Sequence, residues 1–320
     1  MIERYLEYVS AVRRYSPRTV EIYREVLEGF FAFAQNDNGG EESPAFWREV
    51  LTPNMLRSYE VHLLDERKLD PRTVGLHISV LSGFCRFLLK EGVLESNPAK
   101  AVMRPKTSKR LPEFYRKESL DSYFASNEFL VREYDAFSDG KYYERRLKRL
   151  IINLLYSTGI RRSELISLDR GSFDRSRGVL HVRGKGDKMR EIPLIPSLSQ
   201  ELSLYLQSVD TMALSAPDAE SPLLVTPRGG RLYPVYVDRC VKCELEGVEG
   251  ITGRRSPHVL RHSLATELLS EGTDLNSIKE LLGHSSLAAT QVYTHSSVER
   301  LKNIYNNAHP RAKNGGKNGD

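Results

Sequence analysis

No stretch of this chain approaches the roughly 18 consecutive apolar residues that a bilayer-spanning helix needs, and its opening, "MIERYLEYVS", lacks a signal-peptide pattern. A membrane span is therefore not expected, and the cytoplasm is the expected compartment. Cysteine is scarce. Three in 320 residues, an odd number, make a poor disulfide framework and suit a reducing environment. Cys240 and Cys243 form a C-x-x-C, but no second pair or neighbouring His cluster completes a zinc site, so structural roles and no metal are expected. A Walker-type phosphate loop and a carboxylate cluster are also missing. No cofactor is expected.

A strong charge imbalance is lacking too, since the net charge is only +5. Its distribution is more informative. Residues 1–100 carry 13 Lys+Arg against 15 Asp+Glu, a net of −2. Residues 101–112 hold Arg104, Lys106, Lys109 and Arg110 and no acid, and residues 113–320 hold 30 basic against 27 acidic side chains. A basic run of this kind is either a solvated linker or a segment lying along a phosphate backbone. At 320 residues the chain exceeds what one core usually fills, so two domains are expected.

What is present begins with capped amphipathic helices. "SPRTVEIYREVLEGFFAFAQ" opens with Ser16 as N-cap and Pro17 at the first helical position, then places Val20, Tyr23, Leu27, Phe30 and Phe31 at near-helical spacing. "DPRTVGLHISVLSGFCRFLLKEG" repeats the device with Asp70 and Pro71, an apolar stripe of Val74, Ile78, Leu81, Phe84 and Leu88, and Gly92 as the stop. Turn residues and basic charge from Ser96 to Pro112 mark a domain boundary. The expected division is 1–100 as a helical domain, 101–112 as a basic linker, 113–308 as a second domain and 309–320 as a flexible tail. Within the second domain, "LKRLIINLLYSTGIRRSELISL" reads as a buried helix ending at Gly159, a sharp turn bearing Arg161, and a new helix. "GVLHVRGKGDKMREIPL" reads as a β-hairpin with a Gly-flanked tip. Residues 208–222 read as a surface loop, and residues 228–256 carry no assignable pattern. The charged stretch from Asn127 to Arg149 reads as a surface loop, with a contact to DNA or a neighbouring subunit as the alternative.

The chemistry concentrates in residues 256–295. Ser256 and Pro257 mark a helix start, which puts His258 and Arg261 on one face of its first turn, where free N–H groups and the helix dipole attract an anion. Leu260, Leu264 and Leu268 form the buried stripe of that helix. Taken alone, "HVLRH" fits one surface His and one surface Arg equally well. Asp274 caps the next helix, with Ile278, Leu281 and Leu282 facing inward and Gly283 ending it. His284 follows that C-terminus, where a positive imidazole is favoured and a capping role is the ordinary alternative. Ser286 starts another short helix, and Tyr293 lies about two turns on; most tyrosines are packing residues, and this chain has 16.

"TGIRRSEL", "GKGDKMREIPL", "HVLRH", "LGHSS" and "TQVYTH" occur in that order, and together they resemble the catalytic domain of the tyrosine recombinase (phage integrase-like) family. The N-terminal helices, "ESNPA" and "AHPRA" are most similar to its Xer branch, and the likeness covers nearly the whole chain. It implies a mainly α fold: an N-terminal helical core-binding (SAM-like) domain and an α+β catalytic domain with a small β-hairpin or sheet. It implies Tyr293 as nucleophile, Arg161 and Arg261 as cations gripping the scissile phosphate, and His258 and His284 as hydrogen-bond donors or proton carriers. Lys185, at the hairpin tip, becomes the acid that protonates the departing 5′ oxygen. Glu164, three residues after Arg161, is expected to orient that guanidinium rather than act in catalysis.

The resemblance further implies a double-stranded DNA recombination site as substrate, a second Xer-type recombinase in a four-subunit synapse, and a DNA translocase as a candidate activator. The two domains would clamp the duplex, with Arg104, Lys106, Lys109 and Arg110 crossing its backbone. The segment around "LKNIYNNAHPRA" would dock on the next subunit. Mobile-element integration or inversion is the competing role within the family. The chain begins almost directly in the core-binding helices, without the arm-binding extension that would favour that role. A type IB topoisomerase shares the chemistry, and a non-catalytic DNA-binding protein on the same scaffold is the alternative from another class.

Overall fold

The computed structural model describes residues 1–103, 105, 113–127, 137–184 and 187–283, and the chain divides into two compact units, 1–110 and 111–320. The basic side chains Arg104, Lys106, Lys109 and Arg110 lie outside the described residues.

The first unit is helical: α1 (Ile2–Glu7, continued by a π turn at Tyr8–Val12), α2 (Pro17–Asn38), α3 (Pro44–Val50), α4 (Pro53–Val61, continued by a π turn at His62–Glu66) and α5 (Pro71–Lys90). Four of these helices start in one way. Ser16, Ser43, Thr52 and Asp70 each accept a hydrogen bond from a first-turn backbone N–H, with proline at the first helical position. Each such cap contributes about 1 kcal/mol. The stripes they aim inward meet around Trp47, which is fully buried against Phe30, Phe31, Phe46 and Phe84. Its indole Nε1 donates to Glu42 at 2.8 Å, so the one polar atom of the ring is satisfied. A 3₁₀ turn at Pro98–Ala101 brings Ala99 and Val102 onto the same core.

The second unit is built round one helix. After α6 (Lys117–Ser126), α7 (Gly140–Thr158) starts on the Asp139 cap, and every residue from Arg149 to Thr158 is buried. A helix buried on all sides over that length has to be central. Its neighbours are α9 (Pro196–Thr211), α10 (Pro234–Glu244) and α11 (Pro257–Ser270), with α12 (Leu275–Leu282) packed on α11. Between α8 (Arg162–Ile166) and α9 runs an antiparallel sheet in the order β1 (Phe173–Asp174), β2 (Val179–Arg183), β3 (Met189–Pro193). Register pairs Leu180 with Ile192 and Val182 with Arg190, so those four residues share one face, which is buried.

Two expectations are corrected, and one unread stretch gains an element. Residues 140–149 are not a surface loop; they are the first turns of α7, and Tyr143, Arg146, Leu147 and Arg149 are buried. Arg149 reaches the buried Glu201, and Arg146 donates to Ser208 at 3.2 Å, so the charges that suggested a solvated loop are paired or bonded inside the fold. Residues 128–136 of the same stretch lie outside the described residues. The loop expected at 208–222 begins only after Thr211, where α9 ends. The unassigned stretch 228–256 contains α10. On that helix Cys240 is buried, its Sγ 3.7 Å from the Lys148 carbonyl, and Cys243 is exposed; both are free thiols. Among the described residues no group of three His, Cys, Asp or Glu is gathered for a metal, and no helix is long and apolar enough to cross a membrane.

Candidate active site

Two helix ends and one strand carry the site. α7 stops at Gly159 and α12 stops at Gly283, both in the left-handed conformation with φ of 61° and 63°. Space restricts both positions as firmly as φ does. A Cβ on Gly159 would sit 2.6 Å from Leu282 Cδ2, and one on Gly283 would sit 3.0 Å from the Arg190 guanidinium. Each helix end leaves main-chain carbonyls without helical partners. Those carbonyls hold the two arginines.

Arg261 projects from the first turn of α11 and donates from Nη1 to the Gly159 carbonyl and from Nη2 to the Leu282 carbonyl at 2.6 Å. Arg161 caps the start of α8 and donates from Nη2 to the next carbonyl, that of Gly283, at 3.0 Å. Two guanidinium groups 100 residues apart in sequence thus meet on successive peptide units. Arg261 is only 8% exposed, which rules out the reading of "HVLRH" as a surface pair. Burial first, then the neighbouring Arg161 charge, press its pKa down to about 10. It stays charged at neutral pH, in a place where an arriving anion relieves the repulsion.

Glu164, 4% exposed, lies between two arginines. Its Oε1 accepts from Arg161 Nη1 (2.7 Å) and Arg190 Nη1 (3.1 Å), and its Oε2 from Arg190 Nη2 (2.7 Å) and the Arg161 backbone N–H (2.8 Å). Burial alone would raise this carboxyl pKa. The Arg190 hydrogen bonds and the Arg161 backbone N–H outweigh it and hold the group at about 2. A depressed folded-state pKa stabilises the fold above the unfolded value, near 4.3, and that stabilisation is lost as pH falls toward the folded value. Glu164→Gln is therefore expected to cost on the order of 3 kcal/mol at neutral pH, the gap to the parent closing between about pH 5 and about pH 2. Urea denaturation across that range checks it. A gap that stays constant would reject the ionised, doubly paired carboxylate.

The cluster joins Arg161, Arg261 and Glu164 and adds Arg190, which sequence reasoning passed over. Arg190 is 6% exposed, and the available signal was its alternation with Ile192 on the inward face of β3. His258, itself exposed, stands on the first turn of α11, three residues before Arg261. Ser256 occupies the N-cap position, but its hydroxyl makes no capping hydrogen bond. Lys185, His284 and Tyr293 lie outside the described residues, as does the "LKNIYNNAHPRA" segment. The residues just before two of them are described: Cβ atoms built on Gly184 and Gly283 would lie 3.3 Å and 3.0 Å from the Arg190 guanidinium.

Residues 135–300 match the phage integrase family, and residues 2–92 match its N-terminal SAM-like domain. The chain is 36% identical over 319 residues to the tyrosine recombinase XerC of Chlorobaculum parvum, covering 97% of this chain and 94% of that protein. It is 36% identical over 315 residues to the XerC of Bacillus licheniformis, with coverage of 97% and 96%. Among solved structures it resembles the XerH site-specific recombinase bound to palindromic difH substrate in a post-cleavage complex. That match has a TM-score of 0.63 at 22% identity over 95% of this chain and 83% of that one, and it concerns the fold.

Proposed function

The chain belongs to the phage integrase family of tyrosine recombinases, and on that premise we propose that it cuts and rejoins DNA at specific sites as a Xer-type recombinase. In this reading it acts in the cytoplasm on a double-stranded recombination site, resolving chromosome dimers. It works with a second Xer-type recombinase in a four-subunit synapse, and a DNA translocase is its candidate activator. The XerC relatives, similar over nearly the full chain, support that role over mobile-element integration.

Tyr293 is the nucleophile. Its phenol oxygen attacks the scissile phosphorus, the bond to the 5′ oxygen breaks, and Lys185 supplies that oxygen with a proton. Negative charge gathers on the non-bridging oxygens, where the planar forks of Arg161 and Arg261 are suited to bind in pairs. His258 and His284 donate hydrogen bonds or carry protons at the same phosphate. Attack by a 5′ hydroxyl on the 3′-phosphotyrosyl bond reverses every step. The phosphodiester's bond energy is kept in the link, so resealing requires no ATP.

One observation carries the proposal: Arg161 and Arg261 are fastened to the consecutive Gly283 and Leu282 carbonyls, immediately before His284. Incubation with nicked duplexes bearing candidate sites is expected to give a covalent protein–DNA band that yields phosphotyrosine on acid hydrolysis. A set of sites that bind without forming the band would reject the enzyme and leave a DNA-binding protein. Binding itself should weaken steeply with salt. Replacing Arg104, Lys106, Lys109 and Arg110 with glutamine is expected to lower the slope of log affinity against log salt by about 3.6 if each meets a phosphate. An unchanged slope would remove the linker from the phosphate backbone.

A further inference from the structure

We propose that Arg190 is a positioning residue for the cleavage step, fixing the Arg161 guanidinium through Glu164. The inference rests on the recombinase reading and names a residue which that reading did not use.

The geometry is that of a relay. Arg190 engages both oxygens of Glu164, and the same carboxylate engages Arg161 twice, through Nη1 and the backbone N–H. A carboxylate bound by one arginine alone can swing with it. Bound by a second one rooted in a strand, it cannot. β3 supplies that root, because Arg190 pairs with Val182 in the ladder and its side chain is 6% exposed. The guanidinium also fills the space a side chain would need at Gly283, whose carbonyl accepts from Arg161, and at Gly184, the residue before Lys185. One side chain therefore bonds the carboxylate that holds Arg161 and lies beside the backbone at Gly283 and Gly184.

Electrostatics explains the arrangement. Arg161, Arg190 and Arg261 gather round a single carboxylate, so the cluster keeps a net positive charge for the phosphate while Glu164 stays ionised. Cutting Arg190 out leaves Glu164 with one partner. Arg161, 31% exposed, then loses its fixed orientation. At metal sites, removing a group that orients a ligand typically costs roughly 10- to 100-fold in activity, and a loss of that order is expected here.

Arg190→Met keeps most of the volume and removes the fork; Arg190→Lys restores the charge. The first measurement needs no DNA: the rate at which phenylglyoxal modifies Arg161 and Arg261, read by mass spectrometry. Arg190→Met is expected to speed modification of Arg161 several-fold and leave Arg261 slow, with Arg190→Lys between parent and Met. The second is single-turnover cleavage of a nicked duplex, expected to fall roughly 10- to 100-fold in Arg190→Met at near-parent DNA affinity. In a Glu164→Gln background the Arg190→Met change is expected to add little, since the relay is already broken.

An unchanged Arg161 reactivity overturns the proposal, and so does faster modification of both arginines, which reports general loosening. Multiplying losses in the double variant overturn it too. If the parent itself forms no covalent adduct, the recombinase reading fails on its own. The modification rates still decide whether Arg190 holds Arg161.

Discussion

Tyr293→Phe is expected to bind its duplex with parental affinity and to form no covalent adduct, a loss on the order of a millionfold by comparison with other enzymatic nucleophiles. The change removes a single oxygen and keeps the ring, so packing is conserved and chemistry is not. A free phenol has a pKa near 10, and only about one in a thousand is ionised at neutral pH. Nearby cations are needed to make it reactive. In the proposed mechanism Arg161 and Arg261, held close together, provide them. Other tyrosines are poor substitutes. Tyr143, Tyr156 and Tyr205 are buried, each with its hydroxyl in a hydrogen bond inside the second unit's core. Tyr233, 51% exposed, and Tyr305 are the useful controls, and their Phe variants should keep the adduct. Gel detection of the covalent band on a nicked duplex checks this, and a band that survives Tyr293→Phe assigns the nucleophile elsewhere.

Arg261→Lys and Arg161→Lys are expected to cleave at least roughly a hundredfold more slowly, although both retain a positive charge. An ammonium is a point charge with no fork. In Arg261 the fork spans the carbonyls of Gly159 and Leu282, and a lysine cannot hold both while facing a phosphate. Its loss also leaves buried carbonyls unpaired, at about 1–3 kcal/mol each, so this variant is expected to melt lower. Arg161 is more exposed, and its variant should show the rate loss with a smaller stability loss. Single-turnover cleavage and thermal melts on the same preparations separate the two effects. Near-parental turnover in either variant would reject the paired-donor role.

The sequence made legible some of the helices that begin with a capping side chain. α2, α5 and α12 start on Ser16, Asp70 and Asp274, and each was readable from those residues. Two capped helices, α3 on Ser43 and α4 on Thr52, were not read singly, and α6, α9 and α10, whose N-cap positions hold Arg116, Ile195 and Tyr233, make no side-chain cap. The only local marks of their starts are Pro196 and Pro234 at the first positions of α9 and α10, and α6 lacks even that. Charge misled at α7. Arg146 and Arg149 look like surface residues until Ser208 and Glu201 arrive from α9, some 50 to 60 residues later in the chain. At the site, Arg161, Glu164 and Arg261 were marked by motif. Arg190 was not, because a basic residue in a charged hairpin reads as solvated and its partner comes from another element.

Leu282 and Gly283 serve the two arginines through main-chain oxygen, and this has a bearing on how such a chain can drift over generations. A peptide carbonyl survives any substitution, so descendants can exchange Leu282 for another apolar residue that fills the same space without losing the bond. Gly283 has no such latitude, since its backbone turn and the guanidinium beside it both exclude a side chain. Inheritance at this corner is thus expected to hold the glycine fixed and let its neighbour wander, although each grips one of the two cations.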